Sequence, residues 1–415
     1  MEDGIVKPST DAPRKKFGNV FYVGLLSFFG GISQDIFVPI LPLYLSNVLF
    51  FSKEFIGLSE GILTAGASIF RFVAGFLSDK FQKRKPIIFV GYLLSLISRP
   101  LLAFFTAGAA VLSLRFLDGV GKGVKDAPKD VLIAGSTNIG NRGKGFGIAR
   151  MLDTLGSVVG PLLLFALLYI FRESDLKYHY ILLFCAVPLF ATLAILSFKV
   201  KEVPAGAAVS AADRTAAPAA PRERLPKLFY AFLAIIAIFS IGNSSDAFLI
   251  LRAQNVGVTL LAIPLVYALF NFVYAAASVP LGSLSDKIGR EKVILMGWFA
   301  YALAYAGFAL ARRPLEIWFI FAFYGIYYAT TYGVAKAFIA DIVGPSRRGT
   351  AYGIYNTLVG ILSLPASVIA GFLWERVDPS APFYFGTIMS VISIILLSLL
   401  MLYRKKWHPA ESDTI

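Results

Sequence analysis

Apolar residues in this chain come in unbroken runs of about 18 to 30 positions, separated by short polar stretches, and do not alternate with polar residues. The runs are Phe17 to Val48, Phe55 to Ser78, Pro86 to Ala107, Ala109 to Ala134, Gly145 to Ile170 and Tyr180 to Val200. They continue with Leu228 to Leu251, Thr259 to Leu284, Val293 to Leu310, Leu315 to Ile342, Ala351 to Leu373 and Phe383 to Tyr403. Each is long enough to cross a bilayer as a helix, so the pattern predicts an all-α membrane protein with about twelve transmembrane helices. Continuous runs exclude a β-barrel, whose strands alternate. Between Lys201 and Lys227 the chain turns to Ala, Pro and charge, a composition that buries no core and predicts a flexible linker. The expected organisation is a six-helix bundle over 1–200, a linker over 201–227 and a second six-helix bundle over 228–415.

The two halves repeat each other. Gly75 to Lys85 reads GFLSDKFQKRK, and Gly282 to Lys292 reads GSLSDKIGREK. RGKGFGI from Arg142 lines up with RGTAYGI from Arg348, and GISQD from Gly31 with GNSSD from Gly242. Three matches at nearly one offset indicate a duplication. In the first pair a carboxylate, Asp79 or Asp286, stands where a helix leaves the bilayer and is followed by a basic cluster; it can cap or pair with a neighbouring helix end. The spacing is similar to the pattern G-x-L-x-D-(K/R)-x-G-(R/K)-x-K after the second and eighth helices of the major facilitator superfamily, so the chain resembles that transporter family. Gln82 replaces the usual Gly in the first copy, and Gly289 keeps it in the second. The resemblance implies two pseudo-symmetric six-helix bundles (the MFS fold) with a site between them. It also implies that helices one, four, seven and ten line the cavity while three, six, nine and twelve face lipid. It implies a gating role for Gly75, Asp79, Arg84, Gly282, Asp286 and Arg290.

Composition narrows the class. Hydrophobic residues make up 57% of the 415 positions and charged ones 15%, too apolar for a soluble globule. The formal charge of +14 sits in short loops between apolar runs, so it reads as a topology signal and not as a nucleic-acid surface. Lys15, Lys16, the Lys80 to Lys85 cluster, Arg142, Lys144, the linker, Lys287, Arg290, Arg347, Arg348 and Arg404 to Lys406 fall on one side, which predicts cytosolic termini in a plasma (inner) membrane. The first apolar run is too long for a signal-peptide core and is expected to stay as the first helix. One cysteine, Cys185, and two histidines, His179 and His408, give neither an intramolecular disulfide nor a zinc set, so no metal and no cofactor are expected. The expected partners are the lipid bilayer, a small-molecule substrate and a coupling ion, taken as a proton. The chain is expected to be monomeric.

Ionisable residues inside a membrane need a cavity or a partner, at about 2.5 to 3.5 kcal/mol each even on the lenient scale. Helix four is richest: Arg115, Asp118, Lys122, Lys125 and Lys129 share a stripe, with Asp126 and Asp130 on its flank. RFLDGVG from Arg115 also resembles the family pattern R-x-x-Q-G-x-G, whose Arg is associated with proton transfer in proton-driven members. Helix five carries Arg150 and Asp153, which with Asp118, Lys122, Lys125 and Lys129 of helix four are expected in the substrate cavity, and Gly156, Gly160 and Pro161 match the start of an antiporter pattern that Leu164 and Phe165 do not complete. Small-residue packing is the alternative reading of these glycines. In the second half Asn243, Tyr267, Asn271, Tyr274, Tyr328, Lys336 and Asn356 are candidates to line a site for an organic substrate.

The expected activity is secondary active transport by alternating access. No nucleotide-binding loop occurs, so an ion gradient is the expected energy source. A coupling carboxylate must change its charge within the cycle. Asp35, Glu60 and Asp246 qualify because no base lies close to them on their own helices, with Asp35 and Asp246 expected as a pseudo-symmetric pair. Pairing of either with Lys122 or Lys336 is the competing expectation, and Asp118, Asp126 and Asp153 are expected to form structural ion pairs. An enzyme lacks its nucleophile–base set here, and a receptor its added soluble domain. Efflux, from the helix-five pattern, is weighed above uptake of an anion, from the lysine stripe.

Overall fold

The computed structural model describes residues 18–81, 83–137, 142–202, 225–331, 333–343 and 347–407, with backbone alone for residues 76, 79–81, 142, 143 and 404–407. The Asp79 side chain, Tyr332 and the linker residues 203–224 lie outside this set. Twelve membrane helices are present among the described residues. The first half holds α1 (Gly18–Asn47), α2 (Lys53–Phe81), α3 (Lys85–Leu101), α4 (Gly108–Gly135), α5 (Arg142–Ile170) and α6 (Lys177–Phe184 with Ala186–Phe198). The second holds α7 (Lys227–Gly242 with Ala247–Asn255), α8 (Ile263–Ile288), α9 (Arg290–Leu310), α10 (Pro314–Thr331 with Val334–Ile342), α11 (Arg348–Arg376) and α12 (Ala381–Trp407).

Three helices that read as continuous are interrupted. In α6, Pro188 has no N–H for the Phe184 carbonyl, and the helix breaks at Cys185, whose carbonyl accepts the Ser33 hydroxyl at 2.8 Å. In α7 the break falls on Asn243, Ser244, Ser245 and Asp246, residue types whose side chains compete with the helix for backbone partners. The Tyr301 hydroxyl reaches the freed Gly242 carbonyl at 2.9 Å. An apolar run reports burial, not helical continuity, so these breaks left no mark in the hydrophobic pattern.

Packing repeats between the halves. α1 lies on α5 and α6, α2 on α4, and α3 on α4 and α6; correspondingly α7 lies on α11 and α12, α8 on α10, and α9 on α10 and α12. Each pair recurs six helices on, as a duplication requires. As the resemblance implied for a lipid-facing helix, α9 turns one face outward, with Met296, Phe299 and Leu303 exposed. Trp298, Tyr301 and Tyr305 on its other face are fully buried, Tyr301 stacking on Tyr305 at 4.0 Å. At the far end of α9, Arg252 donates to the carbonyls of Phe308 and Ala309 at 2.9 and 3.0 Å and so closes the helix terminus.

The bundles meet where α2 crosses α11 and α5 crosses α8. Near the start of α2 the approach is backbone to backbone: a Cβ on Gly57 would collide with the Ser367 carbonyl, and one on Gly61 would lie 2.7 Å from Leu364 Cα. Glu54 pairs with Arg376 at 3.1 Å over this contact, and Glu375 accepts from the Lys53 amide at 3.0 Å. This seals the molecule on the face opposite its basic loops.

Gly156 serves the α1–α5 contact, since its Cβ would strike the Phe28 carbonyl, whereas Gly147 has nothing within 4 Å. Gly156→Val is expected to destabilise the fold by about 1–3 kcal/mol or more, and Gly147→Ala to be nearly neutral. Unfolding midpoints of the two variants in detergent check this.

Candidate transport site

Below the seal, both bundles wall a cavity of about 750 Å³. Its walls come from α1, α2, α4 and α5 on one side and from α7, α8, α9, α10 and α11 on the other. A second cavity of about 540 Å³ adjoins it and runs to the α8–α9 turn on the basic face; Arg150, Tyr274, Tyr328 and Lys336 line both. The path is therefore open toward the basic loops and shut on the opposite side.

Of the residues expected in the cavity, Lys122, Lys129, Arg150, Asp153, Asn243, Tyr274, Tyr328, Lys336 and Asn356 line it. Asp118, Lys125, Tyr267 and Asn271 do not; all four are buried in helix packing. Lys125 sits over the Tyr92 ring at 4.6 Å, inside the first bundle, because α4 turns that part of its stripe toward α3. Arg71, Asp126, Asp130, Trp298, Tyr327 and Tyr355 line the cavity as well. Their charges and aromatic rings were visible in the sequence, but which face each helix turns inward was not.

Charges pair across helices. Arg71 meets Asp126 at 2.9 Å, and Arg150 meets Asp153 at 3.2 Å while donating to the Tyr274 hydroxyl of the other bundle at 2.7 Å. Above the cavity lies a cluster in which Arg99, Arg115, Asp118 and Ser33 are buried and Glu60 and Gln34 partly so. Arg99 holds Asp118 at 3.1 Å and donates to Ser33 at 2.9 Å and to Gln34. Asp118 also faces Arg115 at 4.0 Å, and Arg115 pairs with Glu60. The Phe37 ring packs against both guanidinium groups, 5.3 Å from Arg99 and 5.5 Å from Arg115. Glu60 thus has a basic partner on α4, which a search along α2 alone does not reveal. Its other oxygen accepts the Ser245 hydroxyl at 3.2 Å, from the break in α7 and hence from the opposite bundle.

Asp246 ends the same break and accepts the hydroxyls of Tyr324 and Tyr328, both at 2.9 Å. Asp35 is buried between α1 and α5, against Gly160. Neither Asp35 nor Asp246 forms an ion pair within 4 Å among the described residues.

In the repeated motif, Arg290 binds Asp286 at 2.6 Å, Asp341 at 3.0 Å and the Ser285 hydroxyl at 2.8 Å, tying the ends of α8, α9 and α10 together. Gly289 turns the chain at φ +98°, a conformation that favours glycine. In the first copy the buried Arg84 precedes α3, and Glu202 accepts from the amides of Arg84 and Lys85 at 3.1 and 2.9 Å. Gly75 and Gly282 face nearly open space.

Arg99→Met would leave Asp118 buried without its nearest cation and is expected to cost about 3–5 kcal/mol of stability. Arg99→Met with Asp118→Leu should recover much of that loss, because no charge is then left unpaired. A double-mutant cycle of unfolding in detergent reads both.

Comparison with known proteins accords with this architecture. The Major Facilitator Superfamily family model matches residues 23–252 and again 231–414. An uncharacterised MFS-type transporter of Methanocaldococcus jannaschii is 36% identical over 399 residues, covering 94% of this chain and 97% of the relative. Over a shorter stretch of 138 residues, 32% of the chain and 33% of the relative, it is 33% identical to a class C tetracycline resistance protein of Escherichia coli. Among solved structures, a mutant of the nucleoside transporter NupG superposes with a TM-score of 0.75 at 14% identity, covering 92% of this chain and 99% of that one. The xylose transporter XylE from E. coli superposes at 0.72 and 16%, covering 91% and 96%. The repeated family match, the duplicated packing and the cavity between the halves agree: the chain is a multi-pass membrane protein that belongs to the major facilitator superfamily of transporters.

Proposed function

We propose that this protein is a proton-coupled secondary transporter that moves a small organic solute by alternating access. The observation that carries the reading is the asymmetry of the inter-bundle contact. Glycines on the shut face, Gly57 and Gly61, touch the backbone of the opposite bundle, whereas Gly75, Gly282 and Gly353 on the basic face have at most one distant neighbour. Small residues held ready on an open face suit a second state in which that face closes. With basic loops on the cytosolic side, the state described is open inward, both termini are cytosolic, and 203–224 lies within a cytosolic linker between the bundles.

Glu60 and Asp246 are the proposed coupling groups. Glu60 is shared between Arg115 of its own bundle and Ser245 of the other, so protonation weakens an ion pair and an inter-bundle hydrogen bond at once. Asp246 has only neutral hydroxyl donors, which a protonated carboxyl still satisfies. Gly156 and Gly160 serve α1–α5 packing, so the helix-five pattern favours no direction of transport.

In proteoliposomes with an imposed pH gradient, Glu60→Gln and Asp246→Asn are expected to lower accumulation of a bound solute by roughly tenfold or more, as loss of a group worth more than 1.4 kcal/mol would. Exchange should persist and become less dependent on pH. Undiminished accumulation in both variants would move the proton elsewhere, with Asp35 next.

A further inference from the structure

We infer that the transported solute is an organic anion, a carboxylate or phosphate on an aromatic or similarly flat apolar body. The inference rests on the transport reading above and names the substrate of the same cavity. Arg71 and Arg150 are matched there by Asp126 and Asp153. Lys122, Lys129 and Lys336 form no ion pair within 4 Å among the described residues, and Asp130 is the one lining carboxylate left to balance them. The cavity therefore holds a surplus of positive charge. Cations inside a membrane protein are retained against a solvation cost and want an anionic partner.

The lysines also come from both bundles, Lys122 and Lys129 from α4 and Lys336 from α10. Lys336 further lines the passage to the basic face, where it precedes the main chamber on the way in. An anion drawn past Lys336 would meet cations of both halves at once. That is the arrangement by which a substrate senses the relative position of two bundles.

The body of the solute is read from the opposite wall. Tyr328 stands edge-on to Tyr274 at 5.6 Å, with Tyr355 on the same wall, while Asn243 and Asn356 supply amide groups beside them. Aromatic faces alone would equally suit an organic cation. The lysine surplus decides for the anion. A chamber of about 750 Å³ admits a solute of metabolite or drug size.

The test uses the full-length protein, purified in detergent, with matched probes: benzoate, indole-3-acetate and phenyl phosphate against benzamide, indole-3-acetamide and benzylamine. Thermal stabilisation is followed as a function of probe concentration. The acids are expected to raise the unfolding midpoint and the amides and amine to do so weakly or not at all. Lys336→Gln and Lys122→Gln should weaken the effective acid by about 10- to 100-fold, as loss of a charged hydrogen-bond partner does. Lys336→Arg should keep binding, and Arg312→Gln, in an exposed loop on the shut face, should leave it unchanged. Stabilisation by the amine above the acids, by none of the acids, or by acids equally in the Lys→Gln variants would overturn the assignment. Counterflow in proteoliposomes separates the two readings: an acid that binds but is never exchanged sinks transport and keeps the anion, whereas exchange of amines does the reverse.

Discussion

Charge buried in a membrane must be paired, and the Arg99–Asp118–Arg115–Glu60 chain is where this protein meets that constraint most strictly. Four ionisable groups from three helices, α2, α3 and α4, are held together with Ser33 and Gln34 of α1, so an internal rearrangement of the first bundle would separate paired charges at a high cost. The links of this bundle to the second are of another kind: the neutral Ser245 hydroxyl on Glu60, the Arg150 bond to the Tyr274 hydroxyl, and the rim contacts of Glu54 with Arg376 and of Lys53 with Glu375. Fully buried ion pairs within a half, and exposed or neutral contacts between halves, suit the rocking proposed above.

The break in α7 places that link. A continuous helix would leave the backbone groups at Gly242 and the side chains of Ser245 and Asp246 engaged in or splayed around the helix itself. Interrupted, they turn to Tyr301, Glu60, Tyr324 and Tyr328. Depth matters too. Glu60 stands seven residues into α2, roughly 10 Å from that helix's outer end. The cluster thus lies beneath the outer seal and above the chamber, so on the proposed cycle a change of charge at Glu60 would act on the contact that opens.

Much of the fold was legible in the sequence. Run length and continuity identified the twelve helices, and the three repeated motifs identified the duplication, because both properties are written in local composition. The breaks in α6, α7 and α10 were not, since they depend on which neighbour satisfies a backbone group. The site followed the same division. Ion pairing of Asp118, Asp126 and Asp153 was expected from bases three or four residues away, yet Asp118 and Asp126 take their nearest partners, Arg99 and Arg71, from other helices. Lys125 lies on the same stripe as Lys122 and Lys129 and is nevertheless turned to Tyr92, because a stripe about 80° wide spans both the cavity and the bundle interior.

The central claim is that the charge of Glu60 holds the outer face shut, and an inter-bundle distance tests it without any substrate. Spin labels placed at Glu173 and Arg313, exposed positions in outer loops of the first and second bundles, with Cys185→Ala as background, report the separation of the two halves on that face by pulsed electron paramagnetic resonance. The account predicts that Glu60→Gln, or acidification of the unsubstituted protein, adds a longer-distance population. Asp286→Asn, on the other face, should add none. A distance distribution unchanged by Glu60→Gln at every pH would contradict it.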